Sequence, residues 1–313
     1  MERRKIGELE VSLAGLGTNN FGRRMDQAAT RRVVAAALDA GITHFDTADI
    51  YGEGRSEEYL GRALGARRGE VTIASKFGYH GAPHPSKAQA DWVPQALEAT
   101  LRRLGADRLD LFYYHKPDGR TPIGETLVAL NGLLERGLVR EIGCSNFSAA
   151  QLEEAARAAA EQGLRGFAVV ENEFSLLVRQ PETDGVLETA ERLGMAFVPF
   201  FPLASGLLSG AYRRGRPTPQ GSRLGGDGRT AEVLLGRGTL DTVERLAAYA
   251  EARGHTLLEL ALSYLAAQAP VASVITGATS TEQVRANAAA TGAWALTADE
   301  LAEARRLVDG SHA

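Results

Sequence analysis

Leu109-Asp110-Leu111-Phe112-Tyr113-Tyr114-His115 is the stretch that decides the fold. Apolar and aromatic residues fill it almost without alternation, the pattern of a strand buried on both faces. It ends on a polar residue, His115. Two other runs have the same form: Thr43-His44-Phe45-Asp46 ends on Asp46, and Val71-Thr72-Ile73-Ala74-Ser75-Lys76 ends on Lys76. Strand-like runs recur at about 13–17, 43–46, 71–77, 109–115, 139–144, 167–171, 196–201 and 272–276. Helical periodicity fills the gaps, as in Val33, Val34, Ala37 and Leu38 closed by Gly41. Capping boxes are expected at Ser148/Gln151, Thr256/Glu259, Ser280/Gln283 and Thr297/Glu300. This alternation predicts an α/β chain folded as a single (β/α)8 TIM barrel over 1–313, rather than an open doubly wound sheet. Lys5 to Ser12, centred on Gly7, predicts a hairpin plugging the bottom of the barrel.

The chain has 313 residues, 44% hydrophobic and 24% charged, enough for a large core. A net charge of -4 gives no basic surface for nucleic acid or an anionic membrane. The single cysteine, Cys144, excludes a disulfide within the chain and fits a reducing cytosol. The opening MERRKIGELE lacks an apolar signal core, and no run approaches the roughly 18 apolar residues that span a bilayer. A cytoplasmic protein is therefore expected, as monomer or small homo-oligomer. One segment breaks the pattern. From 211 to 238 the chain is rich in Gly, Pro and Arg, which predicts a long loop insertion on the active face after the seventh strand. Thr239 to Arg253 reads as an extra helix.

In a parallel barrel all strand ends open on one face, so Asp46, Lys76 and His115 can converge there with Tyr51, five residues beyond Asp46. A free phenol, with a pKa of about 10, exchanges protons poorly at neutral pH, and an ammonium beside it lowers that value. Tyr51 is therefore the expected proton donor, Lys76 the cation that activates it, and Asp46 the partner that holds Lys76. His115 would orient a substrate oxygen by hydrogen bonding. Singly, each of these residues has an ordinary packing explanation; four at strand ends carry far more weight.

The stretch Gly41-Ile-Thr-His-Phe-Asp-Thr-Ala-Asp-Ile-Tyr-Gly52, continuing through Ser56-Glu57 to Leu60-Gly61, resembles the signature of the aldo-keto reductases. Ala74-Ser75-Lys76, His115-Lys116-Pro117, Ile142-Gly143-Cys144-Ser145-Asn146-Phe147, the run from Pro202 to Gly210 and the run from Ile275 to Ser280 match later blocks in order. The resemblance implies reversible reduction of aldehydes or ketones by hydride transfer from nicotinamide C4, without metal. NADPH/NADP+ is the implied cofactor, with NADH possible, and a small-molecule carbonyl the substrate. It carries over the tetrad as Asp46, Tyr51, Lys76 and His115. Implied cofactor residues are Gly17, Thr18, Asn19, Asp46, Ser145, Asn146, Glu171, Phe200, Leu203, Ser205, Gly206, Arg223, Gly277, Thr279, Gln283 and Asn287. Phe200 stands where a stacking Tyr is more usual, and Arg223 resembles a loop arginine that some members fold over the cofactor. The pocket is expected to be lined by Phe21, Tyr51, Tyr79, Trp92 and His115, with parts of the 80–90 and 211–238 loops.

Two departures from the family pattern matter. Glu171 stands where Gln is usual, and an ionised carboxylate can only accept, whereas an amide also donates. Gly277 and Gln283 stand where many reductases place Lys and Arg against the 2′-phosphate. Three other readings compete. One is a Schiff-base lyase using Lys76. Another is a metal hydrolase using His44, Asp46 and His115. The third is a nicotinamide-sensing regulatory subunit. The absence of G-x-G-x-x-G after a strand argues against a Rossmann dehydrogenase.

Overall fold

The computed structural model describes residues 1–79, 89–212, 223–225 and 237–310. Two short strands open the chain, β1 (Arg3–Ile6) and β2 (Leu9–Ser12), paired antiparallel. Eight parallel strands follow: β3 (Ala14–Gly17), β4 (His44–Asp46), β5 (Thr72–Phe77), β6 (Leu109–Tyr114), β7 (Val139–Ser145), β8 (Val169–Glu173), β9 (Ala196–Phe200) and β10 (Val274–Gly277). Their order is β10-β3-β4-β5-β6-β7-β8-β9. An isolated parallel bridge, Phe197 to Val271, joins the two ends. The Phe197 N–H donates to the Pro270 carbonyl (2.6 Å) and the Ala272 N–H to that of Phe197 (2.9 Å). The fold is thus the expected α/β barrel.

Helices Gln27–Asp39, Arg55–Leu64, Trp92–Leu104, Ile123–Glu135 and Ala149–Glu161 separate the first six barrel strands. Gln180–Thr183 and Val186–Arg192 lie between β8 and β9, and Leu257–Ala266 precedes β10. Thr281–Ala290 follows it. Two extra helices, Arg237–Glu251 and Ala298–Asp309, pack against each other; the first lies two residues earlier than expected. Of the expected 211–238 insertion, only 211, 212, 223–225 and the start of the helix at Arg237 are described. The rest of that expectation, and 80–88 of the expected 80–90 loop, lie outside the described residues. Full capping boxes form at Ser148, Thr256 and Thr297. The fourth forms only in part. Ser280 accepts from the Gln283 N–H, but the Gln283 side chain turns back to the Thr279 N–H (2.8 Å).

Strand alternation explains why the barrel runs are apolar throughout. Leu111 and Tyr113 of β6 point inward, while Phe112 and Tyr114 pack under the helices. The interior is small, and the hairpin fills its bottom: Ile6, Leu9 and Val11 pack with Leu111, Tyr113, Val169 and Val198. Glu141 of β7 anchors this plug, accepting from the Glu8 N–H (2.9 Å) and from Arg165 (2.7 Å). The turn needs glycine at Gly7, because φ there is +55° and a Cβ would meet the Glu141 carboxylate.

Candidate active site

The same alternation builds the top of the barrel. Ala74 and Val169 point inward, so Lys76 and Glu171, two residues further along the same strands, point inward nearer the C-terminal end. Period two likewise aims His44 and Asp46 of β4 inward, beside the outward Phe45. His115 follows β6 in phase with Tyr113, and its N–H donates to the Phe77 carbonyl (2.7 Å). Tyr51 lies in a short turn, Tyr51–Gly54, after β4. Buried polar groups brace that turn from behind. Ser56 bonds the hydroxyls of Thr18 (2.7 Å) and Thr47 (2.9 Å), and Glu57 accepts from Ser75 (2.6 Å) and Arg103.

Lys76 is the hub. Its Nζ donates to Asp46 Oδ1 in a short contact and to the Thr47 carbonyl at 3.2 Å. It also lies 3.3 Å from Glu171 Oε2 and 5.5 Å from the centre of the Tyr51 ring. The His115 ring is edge-on to Tyr51 (6.2 Å between centres) and tilted against Tyr79 (4.8 Å). All of these side chains line one cavity of about 750 Å³.

Electrostatics follow from burial. Desolvation works against the Lys76 charge, but Asp46, Glu171 and Tyr51 outweigh it and hold the ammonium protonated beyond its ordinary range. For Tyr51 the balance is the reverse of the sequence-based expectation. Burial raises its pKa above the ordinary phenol value, and the opposing pull of Lys76 does not overcome it. Burial, reinforced by Lys76, keeps His115 neutral well below its ordinary value. His115 Nδ1 is buried without a hydrogen bond, and the residue lines the cavity. Burial pushes both the Asp46 and Glu171 carboxyls up while Lys76 pulls them down. The tighter contact makes Asp46 the ionised partner; Glu171 is pushed up to about 8.

From the tetrad the cavity runs in two directions. Ser145 and Asn146 close β7, with Asn146 Nδ2 donating to the His115 carbonyl (3.0 Å) and to Ser145 Oγ (3.0 Å). Phe200, Leu203, Ser205 and Gly206 line the wall after β9. Asn146, Phe201, Ala204 and Ser205 all hold left-handed backbone without being glycine, a strain that clusters at ligand sites. On the far side lie Gly277, Thr279, Gln283 and Asn287, facing Gly17, Thr18 and Asn19 of the first strand's loop.

Two of the expected pocket residues lie outside this lining. Phe21 is fully buried in the core, and Trp92, at the start of its helix, packs half-buried against the same core. Both are absent from the cavity lining, because their apolar bulk is spent on the helix layer. The Arg223 side chain lies outside the described residues. Sequence reasoning missed Asn20, Arg24, Ile50, Glu173 and Tyr212, which also line the cavity. Glu173 carried a signal, being two residues past Glu171 on the same strand face; Arg24 and Tyr212 come from irregular segments with none. Among the described residues no cluster of three or more His, Cys, Asp or Glu could hold a metal ion. His44 is fully buried with both ring nitrogens unpartnered, inside the barrel rather than at its mouth.

Comparison with known proteins bears on this geometry. The Aldo/keto reductase family model matches residues 14–309. An Arabidopsis thaliana protein named as a probable voltage-gated potassium channel subunit beta is 33% identical over 92% of this chain and 90% of its own length. The L-glyceraldehyde 3-phosphate reductase of Escherichia coli (strain K12) is 32% identical over 99% of this chain and 93% of that protein. Among solved structures, a glycerol dehydrogenase from Gluconobacter oxydans superposes with a TM-score of 0.83 at 26% identity, covering 99% of this chain and 95% of that one. No helix among the described residues is long and apolar enough to cross a membrane. With its barrel, its cavity and a family match over nearly its whole length, the chain belongs to the aldo/keto reductase family.

Proposed function

We propose that the protein reversibly reduces aldehydes or ketones to alcohols with NADP(H), Tyr51 serving as general acid and base. The observation that carries this reading is the meeting of Tyr51, Lys76, Asp46 and His115 on one cavity whose lining continues along the β9 loop to the helix starting at Thr281.

A nicotinamide held in that cavity would supply the hydride for the carbonyl carbon and accept it in the reverse direction. Tyr51 holds the proton for the carbonyl oxygen, and its burial keeps the phenol protonated until the reaction needs it. Lys76 stabilises the phenolate left behind, within a low-dielectric site where one ammonium counts for more than it does in water. Asp46 fixes Lys76. His115, neutral, offers a hydrogen bond to the substrate oxygen without adding charge. Support for the dinucleotide comes from three places. Ser145 and Asn146 carry amide and hydroxyl groups beside the tetrad. Ser205 and Gly206, both in left-handed backbone, line the cavity wall after β9. Ser280 caps a helix whose N-terminal dipole favours an anion.

Gly277 and Gln283 add no cation at that end, so the 2′-phosphate depends on the helix, on Thr279 and on a loop arginine, for which Arg223 is our candidate. A modest preference for NADPH follows, about tenfold to a hundredfold for one charge-assisted hydrogen bond, and it weakens with salt. Arg223→Ala reduces that preference and leaves NADH kinetics nearly unchanged. The Escherichia coli relative makes small phosphorylated aldehydes part of the substrate panel. The reading is tested by following NADPH and NADH oxidation against aldehydes, ketones and glyceraldehyde 3-phosphate. Turnover of an activated aldehyde is expected. Tight cofactor binding with no turnover across the panel would favour the nicotinamide-sensing regulatory reading instead; the Arabidopsis relative is named as a probable channel subunit rather than as an enzyme.

A further inference from the structure

We infer that the charge of Glu171 follows the oxidation state of the bound nicotinamide: protonated beside the reduced ring, ionised beside the oxidised one. The inference rests on the NADP(H) reading above.

The geometry begins with the charge count at Lys76. Two carboxyl groups, Asp46 and Glu171, flank one ammonium, and all three side chains are buried. Fully ionised, the set carries one uncompensated negative charge on side chains almost wholly removed from solvent, which is costly. One shared proton removes that charge. Asp46 takes the closest contact with Nζ, so the proton belongs on Glu171, whose Oε2 makes no hydrogen bond.

The titratable groups facing Glu171 are Asp46 from β4, Tyr51 from the turn after it, Lys76 from β5 and Tyr113 from β6. Glu173 shares its strand face, and His115 lines the same cavity. The flanking barrel neighbours are Ser145 of β7 and Val198 of β9, neither of which titrates in the accessible range. Tyr113, with its hydroxyl unpartnered, adds no charge because burial raises its pKa well above the ordinary value. Lys76 is therefore the only cation against Glu171 among these groups, and Asp46 already engages it.

Protonated, Glu171 both donates and accepts, as the amide usual at this position does. Its pKa of about 8 puts that form in the majority at neutral pH. An oxidised nicotinamide brings a positive ring charge to the cavity and favours the ionised form; the proton then leaves to solvent. A reduced ring brings no such charge and leaves the proton in place. A Gln at 171 could not exchange a proton at all.

The test is equilibrium binding of NADP+ and NADPH to wild type and Glu171→Gln, below and above the Glu171 pKa of about 8. Calorimetry in buffers of different ionisation enthalpy counts the protons released. A shift of one unit in the Glu171 pKa between the two complexes changes the affinity ratio about tenfold. In wild type the ratio moves toward NADP+ by about that factor as pH rises, and NADP+ binding releases protons near the pKa. In Glu171→Gln the ratio is flat and this release is gone. A flat ratio in wild type, or an unchanged slope in the variant, overturns the inference. Should Glu171→Gln fail to fold, Glu171→Met replaces it, and NADP+ binding to wild type without proton release overturns the inference by itself. Failure of wild type to bind either cofactor overturns the functional reading, and this inference with it; binding without proton exchange overturns only the inference.

Discussion

Glu141 and Glu171 sit on adjacent strands at opposite ends of one barrel, each 1% exposed. At the bottom, both oxygens of Glu141 are used, one by the Glu8 N–H and one by Arg165. At the top, Glu171 Oε2 has only a shared ammonium nearby and no hydrogen bond. Backbone strain divides in the same way. Among the described residues, every non-glycine residue with left-handed φ (Glu53, Asn146, Phe201, Ala204 and Ser205) follows the C-terminal end of a barrel strand. Equal burial has been put to different uses. The bottom satisfies its polar groups and secures the plug, whereas the top leaves some of them open to a ligand.

Lys76→Met tests that division most severely. It removes the cation from two buried carboxyls and from Tyr51, so activity should be lost and stability should fall by about 3 kcal/mol, read by denaturant unfolding. Unchanged activity and unfolding would show the top to be as inert as the bottom. Tyr51→Phe removes only a hydroxyl. A fall in kcat of about 10²-fold or more is expected, with cofactor affinity by titration nearly unchanged. A near-normal kcat would remove Tyr51 from the chemistry.

Glu141→Ala probes the other end. Loss of a buried, fully bonded carboxylate should cost about 1–3 kcal/mol while kcat stays at the wild-type value. A kcat effect larger than the stability effect would mean that the two ends are coupled. The last variant involves His44, whose effect is confined to acid pH and vanishes at neutrality. Burial holds its pKa at about 3, against 6.5 when unfolded, so the unfolded chain binds more protons between those values. Its contribution to stability is complete above about 6.5 and is lost as pH falls toward 3. His44→Phe should flatten that part of the stability-against-pH curve, measured by urea midpoints. An unaltered acid limb would assign the loss to other groups.

Much of this was legible in the sequence. Doubly buried strands read as apolar runs, and the polar residue closing each run, Asp46, Lys76 or His115, marks where a strand leaves the core. Strand phase then delivers these side chains to one mouth. Phe21 marks the limit of that logic: position near a strand end does not say which way an aromatic outside the strand points, and Phe21 turns into the helix layer. The sign of the Tyr51 shift was not legible either. The attraction of Lys76 can be guessed from residue types, but the depth of burial that outweighs it depends on the closed barrel. Nor does any spacing pair Glu171 with Lys76, since they lie far apart in the chain and meet only across the barrel interior.

The seam between β9 and β10 has a mechanical consequence. Elsewhere the barrel strands are stitched by continuous ladders, but here the cylinder is fastened by a single bridge, made of two backbone hydrogen bonds at its lower edge. Such a wall resists hoop stretching least at the fastening. Phe200 and Gly277, on opposite sides of the upper seam, both border the cavity. Breathing there would widen or narrow the cleft while leaving the β4–β6 segment that holds Asp46 and Lys76 in its ladders. Deuterium should therefore enter at the Phe197 and Ala272 amides sooner than at those of Leu111 and Tyr113, and a bound dinucleotide spanning the seam should slow it.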